Sequence, residues 1–218
     1  MTDLHPLAAL GCQAFVEAEM QPERRSNAEG NQSDEWRVRA EPALLDACVS
    51  GDPAAWRRLH RLCYPRAAAF LRKLGVSELD LDDAVQEVFV QLFRYLPRFR
   101  REAELSTWLF RICISQARSV RRRKRLGHAL SRLLSLAPLP TLVSTPSLPE
   151  EIVRRRVQAA LSALSEGDRT VFVLYEMEGI PGKKIAEIVA SPEASVWRRL
   201  HGARIAFRRA LESEDEFS

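Results

Sequence analysis

The sequence predicts an all-α protein: two small helical domains joined by a flexible Pro-rich linker, the second a helix-turn-helix domain. Three observations predict it. Apolar residues recur at helical spacing from about Pro42 to Arg125, and again from about Glu150 onward. Between them, Pro138, Pro140, Pro146 and Pro149 stand among Ser and Thr residues in a stretch suited to an extended linker. In the second half, a turn at Ala190-Ser191-Pro192 separates a short apolar-faced segment from a longer basic one.

Composition narrows the class. A chain of 218 residues holds one medium domain or two small ones, and 46% hydrophobic residues are enough for real cores. The formal net charge is +4, yet residues 94–125 carry eleven Lys and Arg against Glu102 and Glu104, a local +9. Positive charge this concentrated points to a polyanionic partner, of which nucleic acid is the most available. Cys12, Cys48, Cys63 and Cys113 form no CxxC pair or Cys/His cluster, which argues against a disulfide framework or a zinc site. No metal or other cofactor is expected. The first twenty residues lack a basic leader segment, and no apolar run is long enough to span a bilayer, so a cytoplasmic protein is expected.

Residues 1–40 show no sustained periodicity and read as a disordered extension, with 21–35 polar and turn-rich. Pro42 suits a first helical turn and Gly51 a stop, with Leu44, Leu45 and Val49 on one side. Asp52-Pro53 restarts a helix whose stripe is Trp56, Leu59, Leu62 and Cys63, and which Gly75 ends. The next helix, 82–96, places Val85, Phe89, Leu92 and Leu96 on one face, with Asp82, Asp83, Gln86 and Glu87 opposite. Acids favour a helix N-terminus, which accounts for Asp82 and Asp83. It does not account for Glu87, a like charge at i+4 from Asp83 that costs a few tenths of a kcal/mol. The patch is either a solvated face or a contact surface.

Pro97 breaks that helix, and a basic loop around Phe99 follows. Ser106 is the expected N-cap of a helix over 107–125, with Trp108, Leu109 and Ile112 inward. Arg111, Ser115, Arg118 and Arg122 fall on the opposite face and run into Arg121–Arg125. Five adjacent cations need an anion or cost stability. Nucleic acid is the preferred partner; acidic protein and lipid headgroups are the alternatives.

The second domain is expected over 150–212, after a linker at 126–149 and before an acidic tail at 213–218. Ile152, Val157, Ala160, Leu161 and Leu164 face inward, Ser165 to Asp168 form a capping arrangement, and Val171, Phe172, Leu174 and Tyr175 are buried before Gly179. The longer basic helix then turns Val196, Leu200, Ala203 and Phe207 inward. Glu193, Ser195, Trp197, Arg198, Arg199, His201 and Arg204 are its expected outer face.

Two stretches together resemble bacterial sigma factors. LDDAVQEVFVQLFRYLPRFRREAELSTWLFRICISQARSVRRRKR is similar to their second conserved region, and LSALSEGDRTVFVLYEMEGIPGKKIAEIVASPEASVWRRLHGARIAFRRAL to their fourth. About 23 residues separate Arg125 from Pro149, too few for the extra domain of primary sigma factors, so the resemblance is to the extracytoplasmic-function (ECF) group. It covers roughly residues 42–211. It implies a non-enzyme that binds core RNA polymerase and directs promoter-specific initiation. By resemblance, Asp82, Asp83, Gln86, Glu87 and Phe89 dock on the coiled coil of the β′ subunit. Residues 41–125 form the domain that opens the −10 element, with Phe99, Arg100, Thr107, Trp108, Arg111, Ser115, Arg118 and Arg122 at the DNA; Trp108 reads equally as core. The second domain meets the −35 element through Lys183, Lys184, Ser195, Trp197, Arg198, Arg199, His201 and Arg204, and also touches the β flap. The linker threads toward the active-site and RNA-exit channel, and an anti-sigma factor is an expected partner.

The chain departs from the family in two places. Pro181-Gly182-Lys183-Lys184 stands where a Ser/Thr-aromatic-acid-acid sequence is usual, and Trp197-Arg198 where Lys-Ser is usual. Two rival readings stand beside this one. A helix-turn-helix repressor or activator would act without core polymerase. A nuclease would use Asp82, Asp83 and Glu87 for Mg²⁺, but no further acid or base is arranged with them.

Overall fold

A computed structural model of the chain describes residues 41–99, 105–133 and 149–215. All regular structure among the described residues is helical. The expected N-terminal extension, Arg100 and most of the Pro-rich linker lie outside them. The described elements fall into two compact units.

The first unit holds α1 (Pro42–Val49), α2 (Pro53–Lys73), α3 (Glu78–Tyr95), a 3₁₀ turn (Leu96–Arg98) and α4 (Leu105–Leu133). Asp52 caps α2 by accepting from the Ala54 amide at 2.8 Å, just ahead of Pro53 at the first helical position. That helix runs unbroken through Pro65. At its end Gly75, with φ +87°, takes the left-handed conformation that closes the last turn, its amide bonding Arg72 and that of Val76 bonding Leu71. The Trp56 indole donates to the Cys48 carbonyl at 2.8 Å, tying α2 to the last turn of α1. Helices α2, α3 and α4 pack against one another around Leu59, Phe70, Leu71, Leu92, Leu109 and Phe110, all fully buried, with Phe70 and Phe110 edge to face at 4.6 Å. Each such side chain contributes about 1.5–3 kcal/mol by burial.

Four expectations in this unit are corrected. Helix α3 begins at Glu78, four residues before the expected start, because Glu78 and Asp80 already suit its first turn. Val49 and Leu62 are exposed; Cys48 is buried beside Val49, and Cys63 is buried as expected. Ser106 is no N-cap: it lies inside α4, fully buried, and its hydroxyl has no hydrogen-bond partner among the described residues. Helix α4 also continues to Leu133, eight residues past the expected end of the domain.

The second unit holds α5 (Pro149–Ser162), α6 (Glu166–Phe172) continuing into a π-helical turn (Val173–Met177), α7 (Gly182–Val189) and α8 (Glu193–Asp215). Ser165 caps α6 as expected, accepting from the Asp168 amide at 3.3 Å. Helix α8 packs against both α5 and α6. Val196, Leu200, Ala203 and Phe207 are buried as the periodicity predicts, with Phe207 against Phe172 at 4.6 Å. Ile152 is exposed rather than inward, and Ala160, Leu161 and Leu164 carry the apolar side of α5. The turn between α7 and α8 is closed by Ala190 in the left-handed region, φ 51°, with the Ser191 amide on the Ala186 carbonyl at 3.0 Å. This is the arrangement glycine usually makes; alanine takes it at a steric cost. The tail is helical as far as Asp215.

Candidate nucleic-acid interface

In the first unit, α3 and α4 lie side by side and enclose an open groove of about 830 Å³. Its α3 wall carries Asp83 and Glu87; its α4 wall carries Ser115, Arg118, Arg122 and Arg123. One wall is acidic and the other basic. Gln91 donates to Glu87 at 3.4 Å, orienting the half-buried carboxylate.

The structure divides the acidic set. Asp83 and Glu87 line the groove, while Phe89 lies on the flank facing α2, its ring 4.2 Å from the His60 ring. Phe89 is half-buried, not a core residue, and Val88 takes the interior place beside Val85 and Leu92. Phe93 meets Trp56 with ring centroids 4.9 Å apart and planes tilted by 49° while remaining 59% exposed, so α2 and α3 share an aromatic surface. Sequence reasoning missed Phe93, although its i+4 spacing from Phe89 was the available signal.

The basic run is less uniform than its sequence suggests. Arg121 turns inward and donates to the Leu74 carbonyl at 2.6 Å, satisfying an end group of α2. Lys124 pairs with Asp80 at 2.5 Å and donates to the Ser77 hydroxyl at 2.9 Å. Ser77 and Asp80 are themselves hydrogen-bonded. The bonds from Lys124 and Ser77 hold the Asp80 carboxyl below the usual carboxylate range. Two of the five cations are thus occupied inside the unit, which corrects the expectation that the whole run needs an external anion. Arg122, Arg123 and Arg125 stay exposed, and with Arg111, Ser115 and Arg118 they form the outer face of α4.

At the start of α4, Trp108 is half-buried and its ring stacks on Phe99, centroids 5.2 Å apart and planes 24° apart. Thr107 is 2% exposed, so its side chain is not presented to a ligand, against expectation. Arg100 lies outside the described residues.

In the second unit, Arg198, Arg199 and His201 are exposed on α8, Lys183 is exposed at the start of α7, and Lys184 and Ser195 are half-buried. Arg198 donates to the Ser195 hydroxyl at 3.1 Å. Arg199 lies across Gly167, where an added Cβ would stand 3.2 Å from its guanidinium. Arg204 does not face outward as expected: it holds the buried Glu176 at 2.6 Å and lies over the Tyr175 ring at 5.4 Å. Trp197 is 42% exposed but anchored, its indole donating to Glu193 at 3.2 Å and its ring edge-on to Tyr175. Ile205 was missed; it is 41% exposed and follows Arg198 and His201 along one face of α8.

The described residues contain no cluster of His, Cys, Asp and Glu able to hold a metal, and no described helix is long and apolar enough to cross a membrane. Cys48, Cys63 and Cys113 are buried free thiols, and burial pushes Cys63 up to about 12. Cys12 lies outside the described residues.

The two units coincide with two family models. Sigma-70 region 2 matches residues 59–126, and Sigma-70 region 4 matches residues 154–207. The chain is 28% identical over 188 residues to the RNA polymerase sigma factor CnrH of Cupriavidus metallidurans, covering 81% of this chain and 97% of that one. It is 29% identical over 171 residues to the ECF RNA polymerase sigma-E factor of Haemophilus influenzae, covering 74% and 90%. Among solved structures, CnrH in complex with the cytosolic domain of CnrY matches with a TM-score of 0.60 at 24% identity, over 78% of this chain and 96% of that one. The sigma factor RpoE in complex with the anti-sigma factor NepR from Bartonella quintana matches with a TM-score of 0.61 at 20% identity, over 72% and 96%. With regions 2 and 4 in order and no room between them for a third domain, the chain belongs to the sigma-70 family of bacterial RNA polymerase sigma factors, in its extracytoplasmic-function group.

Proposed function

We propose that this protein binds core RNA polymerase and directs promoter-specific transcription initiation, reading the −10 element with its first unit and the −35 element with its second. The observation that carries this reading is the pairing of each family region with an outward basic helix face: Arg111, Arg118 and Arg122 on α4, and Arg198, Arg199 and His201 on α8. The chain supplies no catalysis of its own; nucleotide addition belongs to the polymerase.

The roles divide by chemistry. Asp82, Asp83, Gln86 and Glu87 offer carboxylates and amides to a basic coiled coil of the β′ subunit, with Asp83 and Glu87 set in the groove. Phe89 would act from the neighbouring flank. The α4 arginines meet phosphate, which positions the duplex and makes affinity fall with salt. The Phe99–Trp108 stack at the start of α4 offers an aromatic surface to an unstacked base; capture there would offset an unstacking cost of a few kcal/mol. Exposed Arg198 and His201 on α8 would reach base edges, and Arg199 on α8 and Lys183 at the start of α7 would meet phosphate. The region-4 unit also contacts the β flap. The protein works in the cytoplasm, where the polymerase is, under the control of an anti-sigma factor.

The test compares DNA binding by the isolated chain with binding in the presence of core polymerase. This reading predicts weak, salt-sensitive and non-selective binding alone, and a heparin-resistant, promoter-selective complex with core. Tight, selective binding by the isolated chain, unaffected by core, would replace it with the helix-turn-helix repressor.

A further inference from the structure

Two departures from the usual region-4 pattern meet in space. Gly182 opens α7 and Trp197 lies in the first turns of α8, fifteen residues apart in sequence. A Cβ added at Gly182 would stand 2.5 Å from Cζ2 of Trp197 and 3.0 Å from both Cε2 and Cη2. No other residue fits at 182 while the ring stays where it is. Glycine here is set by a close approach and not by backbone conformation.

The ring is fixed on its other sides too. Its one donor, Nε1–H, is engaged by Glu193 at 3.2 Å. Its edge meets Tyr175 at 5.4 Å and 75°, and Tyr175 in turn lies under Arg204, which is held by the buried Glu176. The contacts run unbroken from the π-helical turn to the outer edge of α8. A ring held this way has no free donor for a base edge. It is well placed to fix the first turn of α7, with Lys183 beside Gly182, against the first turns of α8, with Arg198 one residue beyond the ring.

We propose that Trp197 is a positioning residue for promoter choice: its ring, seated on Gly182, sets the geometry in which α7 and α8 together present Lys183, Arg198 and His201 to DNA. The inference rests on the −35 reading above. It assigns Trp197 to holding the reader in place, not to reading a base itself.

The experiment is selection of transcripts from a promoter library with a randomised −35 segment, using full-length protein and core polymerase. Wild type, Gly182→Ala, Trp197→Phe, Trp197→Ala and the Gly182→Ala/Trp197→Ala double variant are compared, with heat unfolding of each. The readout is the ratio of preferred to random −35 sequences among transcripts, which cancels differences in active fraction. Gly182→Ala, which replaces no DNA-facing side chain, is expected to lower that ratio about tenfold, the scale of one good base contact. Trp197→Phe retains most of it, since a smaller ring keeps the seat on Gly182. The double variant is no worse than Trp197→Ala alone, because the added Cβ then meets nothing. The proposal is overturned if Gly182→Ala keeps the wild-type ratio and sequence. It is also overturned if Trp197→Ala relaxes a single base position while Gly182→Ala relaxes none, which would make Trp197 a direct reader. A wild-type protein that enriches no −35 sequence would overturn the −35 reading itself, an outcome distinct from a preserved preference in the variants.

Discussion

Arg204→Ala separates a structural arginine from a DNA-contacting one. The Glu176 side chain is 5% exposed and Arg204 is its partner at 2.6 Å. Removing the guanidinium leaves the buried Glu176 carboxylate without the counter-charge that Arg204 supplies. Truncating one member of a fully buried pair costs about 3–5 kcal/mol. Because Arg204 keeps 26% of its side-chain surface in water, about 2–4 kcal/mol is the appropriate range here. A unit of this size has a total stability of only about 3–10 kcal/mol. A loss of that order lowers the melting temperature by roughly 10 °C or more. Thermal and urea unfolding followed by circular dichroism measure it, and Arg204→Ala combined with Glu176→Gln should recover a large part of the loss. A variant that melts within about 1 °C of wild type but loses one unit of salt dependence in promoter binding would refute this placement and return Arg204 to the phosphate contacts.

Three other outcomes are expected. Ala190→Gly relieves a left-handed alanine and stabilises the second unit by up to about 1 kcal/mol, seen as a higher melting temperature. The carboxyl of Asp80 is depressed below its ordinary 3.8, so its contribution is present above that value and is lost as pH falls through the folded-state value; stability of Asp80→Asn should therefore fall less steeply below about pH 4 than that of wild type. Cys63, pushed up to about 12 first by burial and then by Cys48, stays a thiol at pH 8, and mass spectrometry after brief iodoacetamide treatment should find it unmodified until the protein is unfolded.

Much of this architecture is legible in local sequence because its causes are local. The Val196, Leu200, Ala203 and Phe207 stripe follows from helical period alone, and the caps at Asp52 and Ser165 follow from residue type next to a helical run. The errors have distant causes. Arg121 and Lys124 look like free cations until Leu74, Ser77 and Asp80, over forty residues earlier, come alongside. Arg204 fits the outward spacing of α8, and only the fold brings Glu176 beneath it. Phe89 satisfies the period of an inward residue, yet α3 turns Val88 into the core and leaves Phe89 against His60. The turn at Ala190-Ser191-Pro192 is legible from Ser191 and Pro192, but the left-handed conformation at Ala190 is not, because alanine gives no sign of it.

The candidate interface divides in the same way. The outer faces of α4 and α8 were readable as charge at helical spacing. The groove that sets Asp83 and Glu87 opposite Arg118 and Arg122 was not, because it is made by two helices packing side by side. The seat of Trp197 on Gly182 was visible only as two unusual residues until distance joined them.

Run-off transcription with purified bacterial core polymerase, on the DNA upstream of this protein's own gene, tests the central claim most directly. The account predicts a transcript with a single start site that requires this protein and weakens when Asp83 is changed to Arg. No transcript, together with no measurable binding to core polymerase, would contradict it.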